Sequence, residues 1–210
     1  MLFRPKSSLL AIFISLAFSF KAFNVQASTV LELSFADVVE NAELIFEGKV
    51  IAVEAREDAD GIHTYVSFEV LDTVKGNYSS PILELRYLGG RVGNRQLQIT
   101  DMDLPQKGES GFYFVESLQE NLVHPLVGWD QGRYIIEQGR NGVGYVTSAQ
   151  RKPLQSIDNS PQETDLSTFS KGVAKGVIVM EMHLLTNAMT VDGFKAAIRG
   201  SIINQGQSRD

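Results

Sequence analysis

The chain has 210 residues, of which 43% are apolar and 21% are charged, and it contains no cysteine. This length and composition predict one folded domain with appendages and argue against two full-size domains or a largely disordered chain. The absence of cysteine excludes disulfide scaffolds, thiolate zinc sites, iron–sulfur clusters and thiol catalysis.

The first 27 residues have the layout of a secretory signal peptide. Arg4 and Lys6 provide the basic start, an apolar stretch follows at residues 9–20, and Ala27 is small enough for a signal peptidase site. Because the apolar stretch is shorter than the roughly 20 residues of a membrane-spanning helix, we predict cleavage after Ala27. The protein is then secreted or periplasmic, without a stable membrane anchor. Lys21, close to the apolar stretch, leaves a retained leader as the alternative.

Removal of this leader makes the chain more acidic. The full chain carries 19 Lys and Arg against 25 Asp and Glu, a net charge of −6. The leader holds three of the basic residues and none of the acidic ones, so the expected mature chain has a net charge of −9. Nucleic acid is not an expected partner, because its phosphate backbone requires a basic protein surface.

The first predicted element is a short helix at residues 34–42. Ser34 can cap this helix, and the carboxylate of Asp37 complements the N–H groups of its first turn. A long strand is predicted next, at residues 44–56, because the stretch is rich in β-branched residues. Gly48 lies inside that strand, where a glycine usually marks a bulge or a sharp bend.

A turn at residues 57–61 and a strand at residues 64–71 complete a hairpin with the first strand. Further short strands are predicted at residues 82–88, 97–100, 111–116, 132–137 and 144–147. Turn signals at intervals of roughly ten residues are typical of an all-β barrel or sandwich. We predict a mainly β fold: a small five- to six-stranded OB-like barrel at residues 28–148, with a short N-terminal helix and a C-terminal amphipathic helix.

The rest of the chain is less regular. Residues 149–172 are polar with few large apolar side chains, which predicts a flexible surface segment. In the C-terminal segment, residues 173–210, helix and strand signals conflict at 176–185. From Thr190 to residue 203 the apolar spacing is helical, and the polar residues 204–210 are expected to form a tail.

The sequence carries no recognisable catalytic motif, and we predict no catalytic residues, no metal ligands and no cofactor. The histidines, His63, His124 and His183, lie about sixty residues apart, so no two of them have the spacing of a helical metal pair. A non-enzymatic protein is therefore favoured. The alternative is a metal-dependent hydrolase whose site assembles from His63, His124, Asp101 and Asp103.

The most informative stretch is 127–134, which holds the single tryptophan between two glycines. This spacing predicts a tight connection that places Trp129 and Gln131 at a barrel edge. Trp129 either covers the core or serves as a partner-binding aromatic side chain. Together with Arg133, and with Arg91 from the glycine-rich turn at 89–93, these residues form the predicted binding site for a protein partner.

The order of these features resembles a set of uncharacterised bacterial secreted proteins. The resemblance covers residues 34–137 and the terminal helix, and it rests on Ala-Glu-Leu-Ile-Phe-Glu-Gly-Lys-Val at 42–50, Leu-Asp-Thr-Val-Lys-Gly at 71–76, Gly-Gly-Arg-Val-Gly at 89–93 and Val-Gly-Trp-Asp-Gln-Gly-Arg-Tyr at 127–134. Those proteins are similar in shape to the tissue inhibitors of metalloproteinases and to netrin-like domains.

This resemblance implies an OB-type barrel that works as a binding module, with a secreted metalloprotease as its partner. The chain departs from the animal inhibitors at one point: they place an N-terminal cysteine on the catalytic zinc and brace the barrel with disulfides. Because this chain has no cysteine, no functional residue is transferred from them.

Overall fold

The structure is a computed structural model that describes residues 30–158, 160, 168–170, 172–181 and 185–207. The predicted signal peptide at 1–27 lies outside these residues, as does part of the predicted flexible segment at 149–172. None of the helices in the described ranges has the length and hydropathy needed to cross a membrane.

The described residues are mainly β, as the sequence predicts. Two helices, α1 (Phe35–Asn41) and α2 (Val191–Gln207), flank ten strands: β1 (Leu44–Asp58), β2 (Gly61–Lys75), β3 (Ile82–Leu88), β4 (Gly90–Val92), β5 (Arg95–Leu97), β6 (Ser110–Val115), β7 (Arg133–Gln138), β8 (Gly144–Ser148), β9 (Leu154–Ile157) and β10 (Val177–Val179). Short 3₁₀ turns lie at Trp129–Gly132 and Leu185–Asn187. The hairpin of β1 and β2 and the strands β3, β6, β7 and β8 agree closely with the predicted positions.

Six strands form one antiparallel sheet in the order β3-β2-β1-β6-β7-β8, while β4 pairs with β5 and β9 pairs with β10. The predicted closed barrel differs from this arrangement, because the pairings among the described residues leave β3 and β8 at opposite edges of the sheet. The described part of the chain therefore forms a large antiparallel sheet.

The long first strand is bent at Gly48, which confirms the predicted bulge. β1 pairs with β2 along its length and with β6 only at residues 44–49, and its register shifts immediately before Gly48. A Cβ atom on Gly48 would lie 2.6 Å from Phe46 Cε2 and 2.9 Å from the Glu69 carbonyl oxygen. Gly48 is paired with Gly111 of β6, so both strands carry glycine where the sheet bends.

The sheet buries apolar side chains on both faces. One face is covered by α1 and α2. Phe35 of α1 packs edge-on against both Phe194 of α2 and Tyr134, and Phe194 packs against Tyr134 in a tilted arrangement. The opposite face, here called the inner face, consists of Leu44, Phe46, Val50, Val66, Phe68, Leu83, Leu85, Tyr87, Tyr113, Val115 and Leu126. These side chains pack mainly against one another, so the sheet must curl around them to keep water out.

The capped helix at residues 34–42 is confirmed as α1. The Asp37 N–H donates to Ser34 Oγ at 3.0 Å, and the Ser34 N–H donates to Asp37 Oδ2 at 3.3 Å, which is a capping box. At the other end of the helix, Lys75 Nζ donates to the carbonyl oxygens of Val39 and Glu40, both at 2.7 Å. A cation is favourable there because the last carbonyls of a helix lack backbone partners.

Helix α2 is longer than predicted. It takes in residues 204–207, which were expected to belong to the polar tail. Lys195 fastens the helix to the sheet through ion pairs with Glu47 (2.6 Å) and Asp72 (2.7 Å), which are paired residues of β1 and β2. The carbonyl oxygen of Ala36 also accepts a hydrogen bond from Gln205 Nε2, so the end of α2 is tied to α1.

Strands β4, β9 and β10 were not predicted, and in place of the strand expected at 97–100 the structure has β5 at Arg95–Leu97. β9 lies in the segment expected to be flexible, yet Leu154 is fully buried in the core beneath the helices. β10 lies in the stretch 176–185, where the sequence signals conflict, and Val177 joins the same core. The described part of these two regions therefore contributes to the packed domain.

The close packing of the glycines at the bend predicts that alanine is destabilising there but not at an open glycine position elsewhere. A Cβ on Gly111 would lie 2.3 Å from the Tyr134 carbonyl oxygen, whereas one on Gly206 in α2 meets nothing within 4 Å. We expect Gly111→Ala to lower the free energy of unfolding by about 1–3 kcal/mol because the strands must separate. Gly206→Ala should leave it unchanged or raise it by up to about 1 kcal/mol. Urea denaturation of both variants tests this, and equal midpoints would contradict it.

Candidate functional site

One end of the inner face is closed by the loops at 89–109 and 116–132, and we call this region the loop end. Arg133 and Trp129, predicted from the sequence as binding residues, both lie here. His124 and Asp103, considered for the alternative metal site, lie here as well. The loop end is therefore where the candidate residues come together, although not in the roles that were expected for each of them.

A buried ion pair forms the centre of the loop end. The guanidinium of Arg133 donates from Nε to Glu109 Oε1 (3.1 Å) and from Nη2 to Glu109 Oε2 (3.0 Å), and both side chains are almost completely buried. The third nitrogen, Nη1, donates to the carbonyl oxygen of Asp103 at 2.9 Å. Tyr113 adds a hydroxyl hydrogen bond to Glu109 Oε1 at 3.2 Å.

This geometry keeps Arg133 charged and fully engaged. Burial lowers the pKa of Arg133, but its hydrogen bonds with Glu109 and the negative charge of Glu109 raise it by more, so the pKa lies above its ordinary value. Because its nitrogens are used inside the protein, Arg133 does not present a free charge to a partner. Its role is to hold β7, the residue preceding β6 and the Asp103 loop together.

His124 lies under Trp129 and is neutral. Burial, together with the positive charge of Arg133, lowers the pKa of His124 to about 3. Its Nδ1 accepts a hydrogen bond from the Leu126 N–H at 3.2 Å, which leaves the ring hydrogen on Nε2. The imidazole stacks on the Trp129 indole, with 5.3 Å between ring centroids and 11° between planes, and meets Tyr87 edge-on at 5.0 Å.

Trp129 sits in a backbone conformation that is rare for a large side chain. Both Gly128 and Trp129 have φ near +58°, in the left-handed region that glycine adopts readily and tryptophan does not. The side chain is half-buried, and His124 covers one face of its ring. The predicted tight connection at 127–134 is therefore present, and it holds the indole at the edge of the inner face.

The structure places Gln131 in the interior rather than at the surface. The residue is fully buried, and its side-chain oxygen accepts from the Leu33 N–H at 2.8 Å. Its amide nitrogen donates to the carbonyl oxygens of Leu31 (2.8 Å) and Gly128 (3.1 Å). Gln131 was expected at the barrel edge as a binding residue, but it is buried. It joins residues 31–33 to the Trp129 turn.

Arg91 is exposed and lines a cleft of about 280 Å³ beside the loop end. Leu88, Leu97 and Met102 supply apolar walls to this cleft. The cleft is connected to the His124 loop, because the Leu88 N–H donates to the Val123 carbonyl oxygen at 3.0 Å. Arg91 itself lies in β4, where it pairs with Gln96 of β5, on a different part of the chain from Trp129.

The four residues of the alternative metal site do not come together. His63 contacts Arg86 and Asp58, whereas His124 packs on Tyr87. Because consecutive residues of a strand point to opposite faces, the two histidines lie on opposite sides of β3. Within the described ranges, no group of three or more His, Asp or Glu side chains is arranged to hold a metal ion.

Tyr87 and Asp130 were not singled out in the sequence. Tyr87 is fully buried, and its hydroxyl has no hydrogen-bond partner among the described residues; burial raises its pKa. Burial also raises the pKa of the Asp130 carboxyl, against the opposing effect of Arg133. The alternation of β3 indicates that Tyr87 points inward, but no sequence signal shows that charges lie beside it.

The chain matches no protein-family model, no curated protein and no solved structure.

Because Arg133 and Glu109 form a buried ion pair, we expect the free energy of unfolding to depend strongly on whether one or both of them are replaced. Arg133→Met leaves Glu109 buried without a counter-charge and should lower the free energy of unfolding by about 3–5 kcal/mol. The double variant Arg133→Met/Glu109→Met should recover much of that loss, because no unpaired charge remains. Arg151→Met removes an exposed ion pair with Glu137 and should cost about 1 kcal/mol or less. Urea denaturation would contradict this if all three variants lost the same amount.

The lowered pKa of His124 predicts a specific pH dependence of stability. Below about pH 6.5 the unfolded chain binds a proton at His124, whereas the folded chain does not bind it until about pH 3. This group therefore makes the free energy of unfolding fall by about 1.4 kcal/mol per pH unit between about pH 6 and pH 4.

His124→Phe tests this, because phenylalanine keeps the ring contacts but does not titrate. The difference in unfolding free energy between the wild type and this variant should change with pH below 6 and be constant above pH 8. Parallel stability curves for the two proteins over the whole range would show that the histidine is not held neutral.

Proposed function

We propose that this protein is a secreted or periplasmic, non-enzymatic module that binds a protein partner through the surface around Trp129. The observation that carries the proposal is the half-buried indole of Trp129, which stacks on the ring of His124 at the end of the sheet that holds the buried ion pair. A rigid aromatic side chain loses little conformational entropy on binding, which is why tryptophan is frequent among the residues that dominate interface energies.

The surroundings of Trp129 support this proposal. Val123, next to His124 in the same loop, is 48% exposed. The side chain of Asp103, at the edge of the ion pair, is 65% exposed. An aromatic and apolar surface with a carboxylate at its rim suits a partner that presents an apolar pocket beside a Lys or Arg side chain.

We further propose that the fold is an OB-type barrel. Two features support it: β1 is a long strand, bent at Gly48, that pairs on both sides with β2 and β6, and the apolar inner face is buried by the curling of the sheet itself. The resemblance to barrel-shaped protease inhibitors makes a secreted metalloprotease the partner we favour. Contact with such an enzyme would use Trp129, since the chain has no cysteine to bind a zinc ion.

Substitution of Trp129 tests the binding function. The chain without residues 1–27 is titrated with metalloproteases purified from the extracytoplasmic fraction of its source, and binding and protease inhibition are measured. Trp129→Ala should weaken binding by about 2 kcal/mol, roughly thirtyfold, as expected for a central aromatic residue of an interface.

Val143→Ala is the matched control. Val143 is an apolar residue that is 39% exposed, and it lies in the turn between β7 and β8, at the other end of β7 from Trp129. This variant should bind as the wild type does. Equal affinities for the two variants, or no bound protease, would refute the proposed function. Elemental analysis of the purified protein separates it from the alternative hydrolase, for which stoichiometric metal is expected.

A further inference from the structure

Residues 30–33 are held in an extended conformation through hydrogen bonds of their own main-chain groups. On one edge, the Glu32 N–H donates to the Thr168 carbonyl oxygen at 2.9 Å, and the Val30 carbonyl oxygen accepts from the Ser170 N–H at 2.8 Å. This is the pattern by which a strand is added to the edge of another strand. It does not depend on the side chains of the peptide.

On the other edge, the side chain of Gln131 takes the place of a neighbouring strand. Its oxygen accepts from Leu33 N–H and its nitrogen donates to the Leu31 carbonyl, two groups that point to the same side of an extended chain. The Lys175 N–H continues this edge by donating to the Leu33 carbonyl oxygen at 2.8 Å. The peptide is therefore recognised along both edges.

Gln131 connects this peptide to the Trp129 turn. Its amide nitrogen also donates to the Gly128 carbonyl oxygen, and the Leu33 side chain would lie 3.1 Å from a Cβ atom on Gly128. A fully buried amide keeps all its hydrogen bonds only while the peptide is in place. If the peptide leaves, the Gln131 side chain loses its bonds to Leu31 and Leu33 and keeps only the bond to Gly128. The turn, two residues before Gln131, then loses the contacts that hold it in this conformation.

We propose that residues 31–33 act as a built-in peptide ligand, whose docking between Gln131 and residues 168–170 positions the Trp129 turn. Gln131 is then a positioning residue: it transmits the presence of the peptide to the indole. The groove would accept any extended segment of suitable shape, since the hydrogen bonds go to its backbone. The consequence for partner binding rests on the proposed function, whereas the coupling itself does not.

The single tryptophan reports directly on this coupling. In the mature chain, Gln131→Met keeps a side chain of similar length but removes its hydrogen bonds to the peptide and the turn. Acrylamide quenching of Trp129 fluorescence should increase by about twofold, as expected when a half-buried side chain becomes exposed, and hydrogen exchange at the Leu33 amide should accelerate. Circular dichroism establishes that the variant is folded.

Gln150→Met is the matched control, because Gln150 Nε2 donates to Asp130 Oδ2 in the same turn from outside, at 2.9 Å, without touching the peptide. It should leave quenching of Trp129 and exchange at Leu33 close to the wild-type values. If Gln131→Met behaves as this control does, or if quenching changes while Leu33 exchange does not, the coupling is refuted.

A second experiment uses a chain that begins at Ser34 and therefore lacks residues 31–33, provided that this chain folds. Quenching of Trp129 should rise in this chain, and a synthetic peptide of residues 28–33 should reverse the rise; a folded chain that ignores the peptide would overturn the proposal. Should the shortened chain not fold, the Gln131→Met comparison decides alone. Neither readout needs a protease, so failure of this coupling and failure of the proposed binding function are separate results.

Discussion

The loop end depends on the buried ion pair between Arg133 and Glu109. Two charges removed from water are tolerated only when they meet in good geometry with their remaining hydrogen-bonding groups satisfied, and here the Asp103 carbonyl and the Tyr113 hydroxyl supply the further bonds. The pair therefore fixes three parts of the chain relative to one another. It also sets the electrostatics of its neighbourhood, because the charge of Arg133 contributes to the low pKa of His124.

The bend in β1 explains why such a pair can be buried in a chain of this size. A flat sheet would leave one apolar face in water, whereas the glycines at 48 and 111 let the strands curl so that Phe46, Phe68 and Tyr113 pack against one another. The helices cover the opposite face, and Lys195 joins α2 to the first hairpin. Curling produces an interior whose end must be closed by loops, and the ion pair lies at that end.

Much of this fold follows from local sequence signals. Ser34 and Asp37 predict the cap of α1, Gly48 predicts the bulge, and the alternation at 82–88 predicts β3, because each signal acts on neighbouring residues. β9 was not predicted, since its burial depends on a pairing with β10 some twenty residues later. The site was predicted in part: the unusual turn around Trp129 is visible in the sequence.

What the sequence did not show is the environment of each polar side chain. Arg133 and Gln131 were expected at the surface because charged and amide side chains are mostly exposed. Their burial requires partners that are distant in sequence: Glu109 is 24 residues away from Arg133, and Leu31 is 100 residues away from Gln131. Composition and spacing do not record such long-range pairings.

The conformation of Trp129 follows from the same long-range contacts. A left-handed backbone costs a non-glycine residue about 1–2 kcal/mol, so an isolated 127–134 segment would not hold its tryptophan in this position. The compensating interactions are the stacking on His124, which the charge of Arg133 helps to keep neutral, and the hydrogen bonds of Gln131. Each of them depends on a different distant part of the chain. The position of the Trp129 indole is thus a property of the assembled loop end and not of the 127–134 segment alone.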